Sequence, residues 1–127
     1  MCLTKLGRCK SKFKKVPGEG DTYYGYKVFN IRGTTLRSVF MNDKIRHRNK
    51  WLVAMAAKCE TTKTDKPYTA GFHVMATEAG AKMYHRWEDQ IICKVKFREI
   101  TVTGYQRDYI KSVDHPCAVA AEMWICA

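Results

Sequence analysis

The sequence lacks any apolar run long enough to cross a lipid bilayer. Its longest apolar runs, Trp51–Ala57 and Ala118–Ala121, fall far short of the roughly 20 residues that a spanning helix requires. The basic segment Met1–Lys10 is not followed by the apolar stretch that defines a secretion signal. We therefore expect a cytoplasmic protein with no membrane partner, in a compartment that keeps thiols reduced.

The sequence also lacks the spaced motifs of common metal and catalytic sites. It contains no C-x-x-C and no H-E-x-x-H, and the nearest approach is His115-Pro116-Cys117, with Cys93 and Cys126 as further candidate ligands. Its cysteines and histidines could pair by chance, but no local signature supports a nucleophile. In a reducing compartment most of the cysteines are better interpreted as thiols, and Cys93 as a small core residue. We expect neither a bound metal nor another cofactor.

Acidic residues are scarce, with 12 Asp and Glu against 23 Lys and Arg, so the net charge is +11. Such a surface attracts polyanions, whether nucleic acid or a nucleoprotein complex, and acidic protein faces. The candidate binding residues come from an N-terminal segment, a central stretch and a later strand: Lys10, Lys12, Lys14, Lys15, Arg46, His47, Arg48, Lys50, Lys94 and Lys96. A solvated tail and a solvated loop would carry the same charges without binding anything, and this alternative stays open.

The composition is that of a globular protein. The chain has 127 residues, of which 46% are hydrophobic and 12% aromatic. This length allows one domain with one hydrophobic core. Residues 1–22 form a basic lead-in that contains a Pro-Gly turn, and we expect regular structure to begin near Tyr23 and the single domain to span residues 23–127.

Periodic patterns predict the elements of that domain. Strands are expected near residues 23–31, 36–41, 68–76, 92–98, 100–105 and 118–125, with a loop or helical turn over 108–116. Thr77 is expected to cap a helix whose apolar stripe reaches Trp87. Between Trp51 and Cys59 the pattern fits a helix or a short buried strand, and we favour the helix. The predicted fold is a single small α+β domain, a mostly antiparallel sheet of four to six strands with one or two helices.

One predicted strand is amphipathic in a way that bears on binding. Its side chains alternate between an apolar set and a basic set: Cys93, Val95 and Phe97 against Lys94, Lys96 and Arg98. This pattern is typical of a sheet with one face on the core and one face exposed to water. Here the exposed face is predicted to be positive.

Three polar residues lie in otherwise apolar or aromatic strands. Lys27 stands between aromatic residues, His73 follows Gly71-Phe72, and Glu122 lies in the apolar terminal strand. A catalytic interpretation places all three in one site with shifted pKa values. The structural interpretation makes His73 a hydrogen-bonded sheet residue and puts Glu122 on the solvent face or in a pair with Lys27.

Four short motifs follow one another along nearly the whole chain: Met1-Cys2-Leu3, Gly25-Tyr26-Lys27-Val28, Gly71-Phe72-His73 and Glu122-Met123. Their order resembles that of short uncharacterised proteins encoded by tailed bacteriophages. The resemblance implies a phage accessory gene whose product works in the cytoplasm of the bacterial host, and by itself it implies no activity.

A looser resemblance concerns the order of the elements. A first strand, a Gly-aromatic strand, a helix ending in an aromatic residue and a terminal strand with Glu are similar to the core of ADP-ribosyltransferases. The matching positions would be Lys27, Phe72 or His73, Tyr84 and Glu122. Lys27 stands where those enzymes have His or Arg. The resemblance implies a nucleotide-binding protein, or an enzyme in which Lys27, His73 and Glu122 converge.

These observations favour a non-enzymatic accessory protein. We expect it to interfere with a host process or defence complex, as anti-CRISPR inhibitors do, by binding nucleic acid, a nucleoprotein or an acidic host protein. The alternatives are a nucleotide-binding or ADP-ribosyltransferase-like enzyme and a structural component of the virion.

Overall fold

The computed structural model describes residues 3–32, 35–38, 44–45, 50–54, 59–61, 67–85 and 87–126. Within them the chain forms eleven strands, one 3₁₀ turn (Lys10–Lys12) and one α-helix. The strands are β1 (Lys5–Leu6), β2 (Lys14–Lys15), β3 (Tyr23–Arg32), β4 (Thr35–Ser38), β5 (Lys44–Ile45), β6 (Leu52–Val53), β7 (Cys59–Thr61), β8 (Pro67–Thr69), β9 (Phe72–Met75), β10 (Gln90–Asp108) and β11 (Val113–Ile125). The helix is α1 (Glu78–Lys82). None of the described helices is long and apolar enough to cross a membrane.

The predicted small, mostly antiparallel domain is confirmed, although the sheet dominates more than an α+β description implies. Nine strands join one sheet in the order β1-β10-β11-β9-β3-β4-β5, with β2 on β3 and β6 on β11, so the expected four to six strands were too few. β7 and β8 form a separate pair. Because β10 also pairs with β3, the strands β10, β11, β9 and β3 close into a ring.

Strand β10 is long and bent, and it pairs along both of its edges. Its first part, Gln90–Phe97, pairs with β3, and Val95–Asp108 pairs with β11. The register with β11 shifts between Ile100 and Val102, which marks a β-bulge, and Glu99 beside it has a φ of 57°. A bulge bends and twists its strand without ending it. The two strands predicted at 92–98 and 100–105 are therefore one continuous strand.

An inner core draws buried side chains from all four strands of the ring, including Phe29, Val74, Phe97 and Met123. Strands β3 and β9 approach closely at Gly25, where an added Cβ would collide with the Val74 side chain and lie 2.9 Å from the Met75 carbonyl oxygen. Only glycine permits this approach without displacing a neighbour, so Gly25 lets the ring close.

An outer core lies on the other face of the sheet, beneath α1. Its buried members are Leu3, Val28, Tyr68, Met75, Ala81, Cys117 and Val119, with Tyr26 and Ile92 packed against them. The helix contributes Ala81, which is fully buried. Thr77 caps this helix as predicted, because its side-chain oxygen accepts a 3.0 Å hydrogen bond from the Gly80 N–H.

The N-terminal segment belongs to the folded structure, which corrects the expectation that regular structure begins near Tyr23. Strand β1 pairs with β10, and β2 pairs with β3. Leu3, Cys9 and Phe13 are buried, and the Phe13 ring contacts the Phe97 ring edge-on with 5.1 Å between centroids. The apolar residues among the lysines therefore fold this segment onto the sheet.

Several other local predictions need correction. The favoured helix at Trp51–Cys59 is wrong where the chain is described, because Leu52 and Val53 pair with β11 and Cys59 begins β7. The helix after Thr77 ends at Lys82, and Trp87 is 67% exposed. The expected strand at 68–76 is divided into β8 and β9. The expected loop at 108–116 is only a four-residue turn, since β11 already begins at Val113.

Candidate functional site

Beyond the helix, the side chains on the outer face of the sheet change from apolar to basic and aromatic. The outer core covers this face at Val28 and Ile92. Side chains two residues apart in a strand lie on the same face of the sheet. Tyr26 and Tyr24 on β3 therefore lie on the same face as Val28. Lys94 and Lys96 on β10, which pair with these tyrosines, lie on the same face as Ile92. We call the helix-covered part the covered half and the part from Lys94 onward the open half.

A single cross-strand row runs through the open half. Lys14 on β2 lies opposite Tyr24 on β3, which lies opposite Lys96 on β10, which lies opposite Trp124 on β11. Directly opposed residues share one face of a sheet. Trp51, just before β6, extends the row, because its ring stands 5.8 Å from the Trp124 ring at an angle of 66°. The row therefore alternates cations with aromatic rings and ends in a tryptophan pair.

Lys96 lies at the centre of this row and is held from several sides. Its ammonium is 4.9 Å from the centroid of the Trp124 ring and 5.7 Å from that of Trp51. The same ammonium donates to both carboxylate oxygens of Glu19, at 3.0 and 3.2 Å. Its side chain is only 19% exposed. Lys96 is thus a positioned cation whose present anion is a carboxylate of the same chain.

Arg98 packs against the tryptophan pair. Its guanidinium carbon lies 3.8 Å from the centroid of the Trp51 ring. Its Nε and Nη2 atoms donate to Glu122 Oε1 at 3.2 and 2.9 Å. A guanidinium held by a carboxylate at its edge can stack on aromatic planes with its faces. Glu122 therefore positions Arg98 and does not lie alone on the sheet.

The outer lysines of the open half have no carboxylate partner among the described residues. The ammonium of Lys94 lies 4.2 Å from the Tyr24 ring centroid. Lys12, Lys14, Lys15 and Lys94 are exposed, and the ion pairs of the described chain involve other cations. Lys12, Lys14 and Lys94 are available to an external anion. Lys15 lies near Asp21, where its charge adds to the hydrogen bonds from Lys10 and Tyr23 that lower the pKa of that carboxyl group.

Lys10 differs from these neighbours because Asp21 neutralises it. The two side chains form a 3.0 Å ion pair, and the Lys10 ammonium also lies 5.2 Å from the Tyr23 ring centroid. The hydrogen bond that Lys10 donates to the Asp21 carboxylate raises the pKa of Lys10 and lowers the pKa of Asp21. Among the predicted N-terminal binding residues, Lys10 therefore has its charge compensated by an acidic neighbour.

The predicted binding residues thus divide into four groups. Lys14, Lys94 and Lys96 lie on the open half. Beside it, Lys10 and Lys12 are the first and last residues of the 3₁₀ turn, and Lys15 ends β2. Lys50 is exposed and immediately precedes Trp51. Arg46, His47 and Arg48 lie outside the described residues. The open half also includes Tyr24, Arg98, Trp51 and Trp124, which are not among the predicted binding residues; the alternation at 92–98 was the signal for Arg98.

His73 belongs to a buried hydrogen-bonded network on the covered half. Its Nδ1 lies 3.2 Å from the Gly71 carbonyl oxygen, and its Nε2 lies 3.0 Å from the Tyr68 hydroxyl. Because a carbonyl can only accept, Nδ1 carries the proton and Nε2 accepts from the hydroxyl. The Tyr68 oxygen in turn accepts from the Leu3 N–H at 2.9 Å. Burial, and secondarily the charge of Lys27, lowers the pKa of His73 to about 3.

The structure brings Lys27 to His73 but keeps Glu122 elsewhere. The Lys27 ammonium donates to the His73 carbonyl oxygen at 2.8 Å. His73 lies opposite Val119 on β11, whereas Glu122 lies opposite Arg98 three residues further along. There Glu122 forms its ion pair with Arg98, whose Nη2 lies 2.9 Å from Glu122 Oε1. The ion pair that was predicted as one alternative for Glu122, with Lys27, is therefore not the one that Glu122 forms.

The candidate metal ligands also serve other roles in the described part of the chain, where no group of three or more His, Cys, Asp or Glu side chains could hold a metal ion. Cys117 is fully buried, and burial raises its pKa to about 12. The Cys117 thiol donates to the Ala118 carbonyl oxygen at 3.7 Å, and Cys93 packs against the inner core. Both thiols act as small core groups.

No family model, no curated protein and no solved structure matches this chain.

Proposed function

We propose that this chain is a non-enzymatic protein that binds nucleic acid on the open half of its sheet. The observation that carries the proposal is the row Lys14–Tyr24–Lys96–Trp124–Trp51, in which cations alternate with aromatic rings on one exposed face. Proteins that bind nucleic acid strands combine these same two elements, a positive surface that follows the phosphates and rings that stack on bases.

The electrostatic part of the proposal rests on charges that the protein does not compensate. Lys12, Lys14 and Lys94 are exposed without a carboxylate partner in the described chain. Each lysine that neutralises a phosphate releases condensed counterions, so such binding weakens steeply as salt rises. The net charge of +11 adds long-range attraction.

The aromatic part favours nucleic acid over an acidic protein as the partner. Lysines alone would suit either, since both carry negative charge. The rings of Tyr24, Trp51 and Trp124 are half-buried and lie between the cations. A planar base can stack on such rings, whereas a carboxylate side chain gains nothing from them.

Binding without catalysis is supported by the environment of the three candidate catalytic residues. His73 is buried with both ring nitrogens hydrogen-bonded, and Glu122 is occupied by Arg98. The phage-like motifs imply an accessory gene product in the host cytoplasm. We extend the proposal to such a factor that interferes with a nucleoprotein defence complex. Purification from infected cells with and without nuclease tests that extension, since nuclease should release the captured complex.

The test of binding compares two double variants with the same loss of charge. Lys14→Gln with Lys94→Gln removes two cations from the open half. Lys82→Gln with Lys111→Gln removes two exposed cations from α1 and from the turn after β10. Fluorescence anisotropy with a labelled mixed-sequence oligonucleotide at several salt concentrations should show the first variant about tenfold weaker or more, with a shallower salt slope. The second should stay close to wild type.

Two results would contradict the proposal. Equal weakening by both double variants would mean that net charge, and not this face, attracts the oligonucleotide. Equal affinity for poly-glutamate and for the oligonucleotide would make an acidic protein surface the better partner.

A further inference from the structure

Two stacking platforms flank one cation on the open half. Tyr24 and Trp124 lie on the strands to either side of Lys96. Since neighbouring strands are about 4.8 Å apart, the two rings emerge roughly 10 Å from each other. Two bases splayed from adjacent positions of a flexible strand can reach such a pair of rings, with the phosphate between them directed at the lysine.

The second platform is larger than a single ring. Trp51 packs edge-on against Trp124, and the guanidinium carbon of Arg98 lies 3.8 Å from the centroid of the Trp51 ring. Guanidinium planes stack on bases as aromatic rings do. Glu122 fixes this plane through two hydrogen bonds, so the platform is already ordered before a ligand binds.

The anion position between the platforms is occupied by Glu19. Its carboxylate takes two hydrogen bonds from Lys96, which is the arrangement that two phosphate oxygens would adopt. Glu19 lies in the turn between β2 and β3, where Gly18 and Gly20 have φ values of 73° and 60°. The Thr22 hydroxyl holds the Glu19 carbonyl oxygen at 2.7 Å, so the turn can keep its place while the side chain, which is 40% exposed, moves away.

We infer that the open half selects single-stranded over double-stranded nucleic acid. One base stacks on Tyr24, a second stacks on the Trp124, Trp51 and Arg98 platform, and the intervening phosphate displaces Glu19 from Lys96. This inference rests on the proposed function. A duplex satisfies the phosphate contacts but keeps its bases stacked on one another, so it cannot use the rings.

The experiment measures the affinity for a labelled single strand and for the matched duplex of the same sequence. The wild-type protein should bind the single strand at least about tenfold more tightly. Tyr24→Leu should weaken single-strand binding about five- to 100-fold, the range for loss of one stacked base, and should leave duplex binding unchanged. Glu19→Gln should tighten single-strand binding about three- to tenfold by removing the resident competitor.

Thermal unfolding of each variant, followed by circular dichroism, distinguishes a loss of contacts from a loss of folding. In a second measurement, Trp87→Phe removes the exposed tryptophan, so that fluorescence quenching reports on Trp51 and Trp124 alone. Equal affinity for both forms together with an inert Tyr24→Leu would overturn the inference. In that case the Lys14 and Lys94 variant would still bind weakly and the proposed function would stand. If the two charge variants also behave alike, the proposed function fails instead.

Discussion

The two halves of the outer sheet face are built from the same strands yet end in opposite environments. On β10, Ile92 packs into the outer core beneath α1, while Lys94, on the same side and two residues later, is exposed over Tyr24. On β3, Val28 and Tyr24 differ in the same way. Backbone geometry does not distinguish these positions. The side chains alone decide which part of the face the helix covers.

The difference shows where buried apolar surface stabilises the fold and where apolar surface is left accessible. The covered half removes aliphatic side chains from water, which stabilises the fold by burial. The open half keeps its large rings but surrounds them with ammonium and guanidinium groups, which lie against the ring faces. Rings in such surroundings contribute less to folding than buried rings do, and they remain available to a ligand. We therefore expect substitutions in the open half to change binding with little change in stability.

The largest expected effect comes from exchanging one position of each half. Ile92→Lys puts an ammonium into the outer core and should lower the free energy of unfolding by about 2 kcal/mol or more, with little effect on oligonucleotide affinity. Lys94→Ile, the matched change, should alter stability by less than about 0.5 kcal/mol and weaken binding. Urea unfolding and anisotropy measure the two quantities. Similar stability losses in both variants would erase the distinction between the halves.

A second prediction concerns the pH dependence of the covered half. Burial lowers the pKa of His73 from 6.5 to about 3. Between these values the unfolded chain takes up a proton that the folded chain refuses, so stability is complete above pH 6.5 and falls as the pH drops. From pH 7 to pH 5 this residue alone should remove about 2 kcal/mol from the free energy of unfolding.

Urea unfolding at pH 5, 6 and 7 checks this value in a range above the usual carboxylate pKa. His73→Gln should flatten the slope, and His85→Gln, at an exposed histidine, should keep it. An unchanged slope in His73→Gln would show that another group causes the acid sensitivity.

The smallest expected effect belongs to the ion pair of the open half. Arg98 and Glu122 are 38% and 23% exposed, so water screens their interaction. A double-mutant cycle with Arg98→Gln and Glu122→Gln should give a coupling energy below about 1 kcal/mol, and it should shrink further at 0.5 M salt. A coupling above about 2 kcal/mol would mean that this pair supports the fold as strongly as the covered half does.

Local patterns in the sequence predicted the local parts of this structure. Thr77 was identified as a cap because its hydroxyl acts within one turn. The alternation of Val95 and Phe97 with Lys94 and Lys96 predicted the basic face because strand geometry acts over two residues. These signals are contained in a few consecutive side chains.

The rest depends on pairings between distant segments. The ring closes because β3 meets both β10 and β9, and no local pattern specifies those partners. The helix was favoured at Trp51–Cys59 because the spacing fits both structures, whereas Leu52 and Val53 instead pair with β11, a partner that the local spacing does not show. The row of cations and rings was missed for the same reason, because it runs across strands and not along any one of them.

The closed ring has a consequence for synthesis on the ribosome. Strand β3, near the start of the chain, finds its long partner only in Gln90–Phe97, and β1 and Leu3 meet Tyr105 and Tyr68. Translation adds about 5 to 20 residues each second, so β1 and the edge of β3 that pairs with β10 wait several seconds for their partner strand. During that interval the nascent chain exposes strands that other chains could pair with, and rapid release or a chaperone would protect its yield.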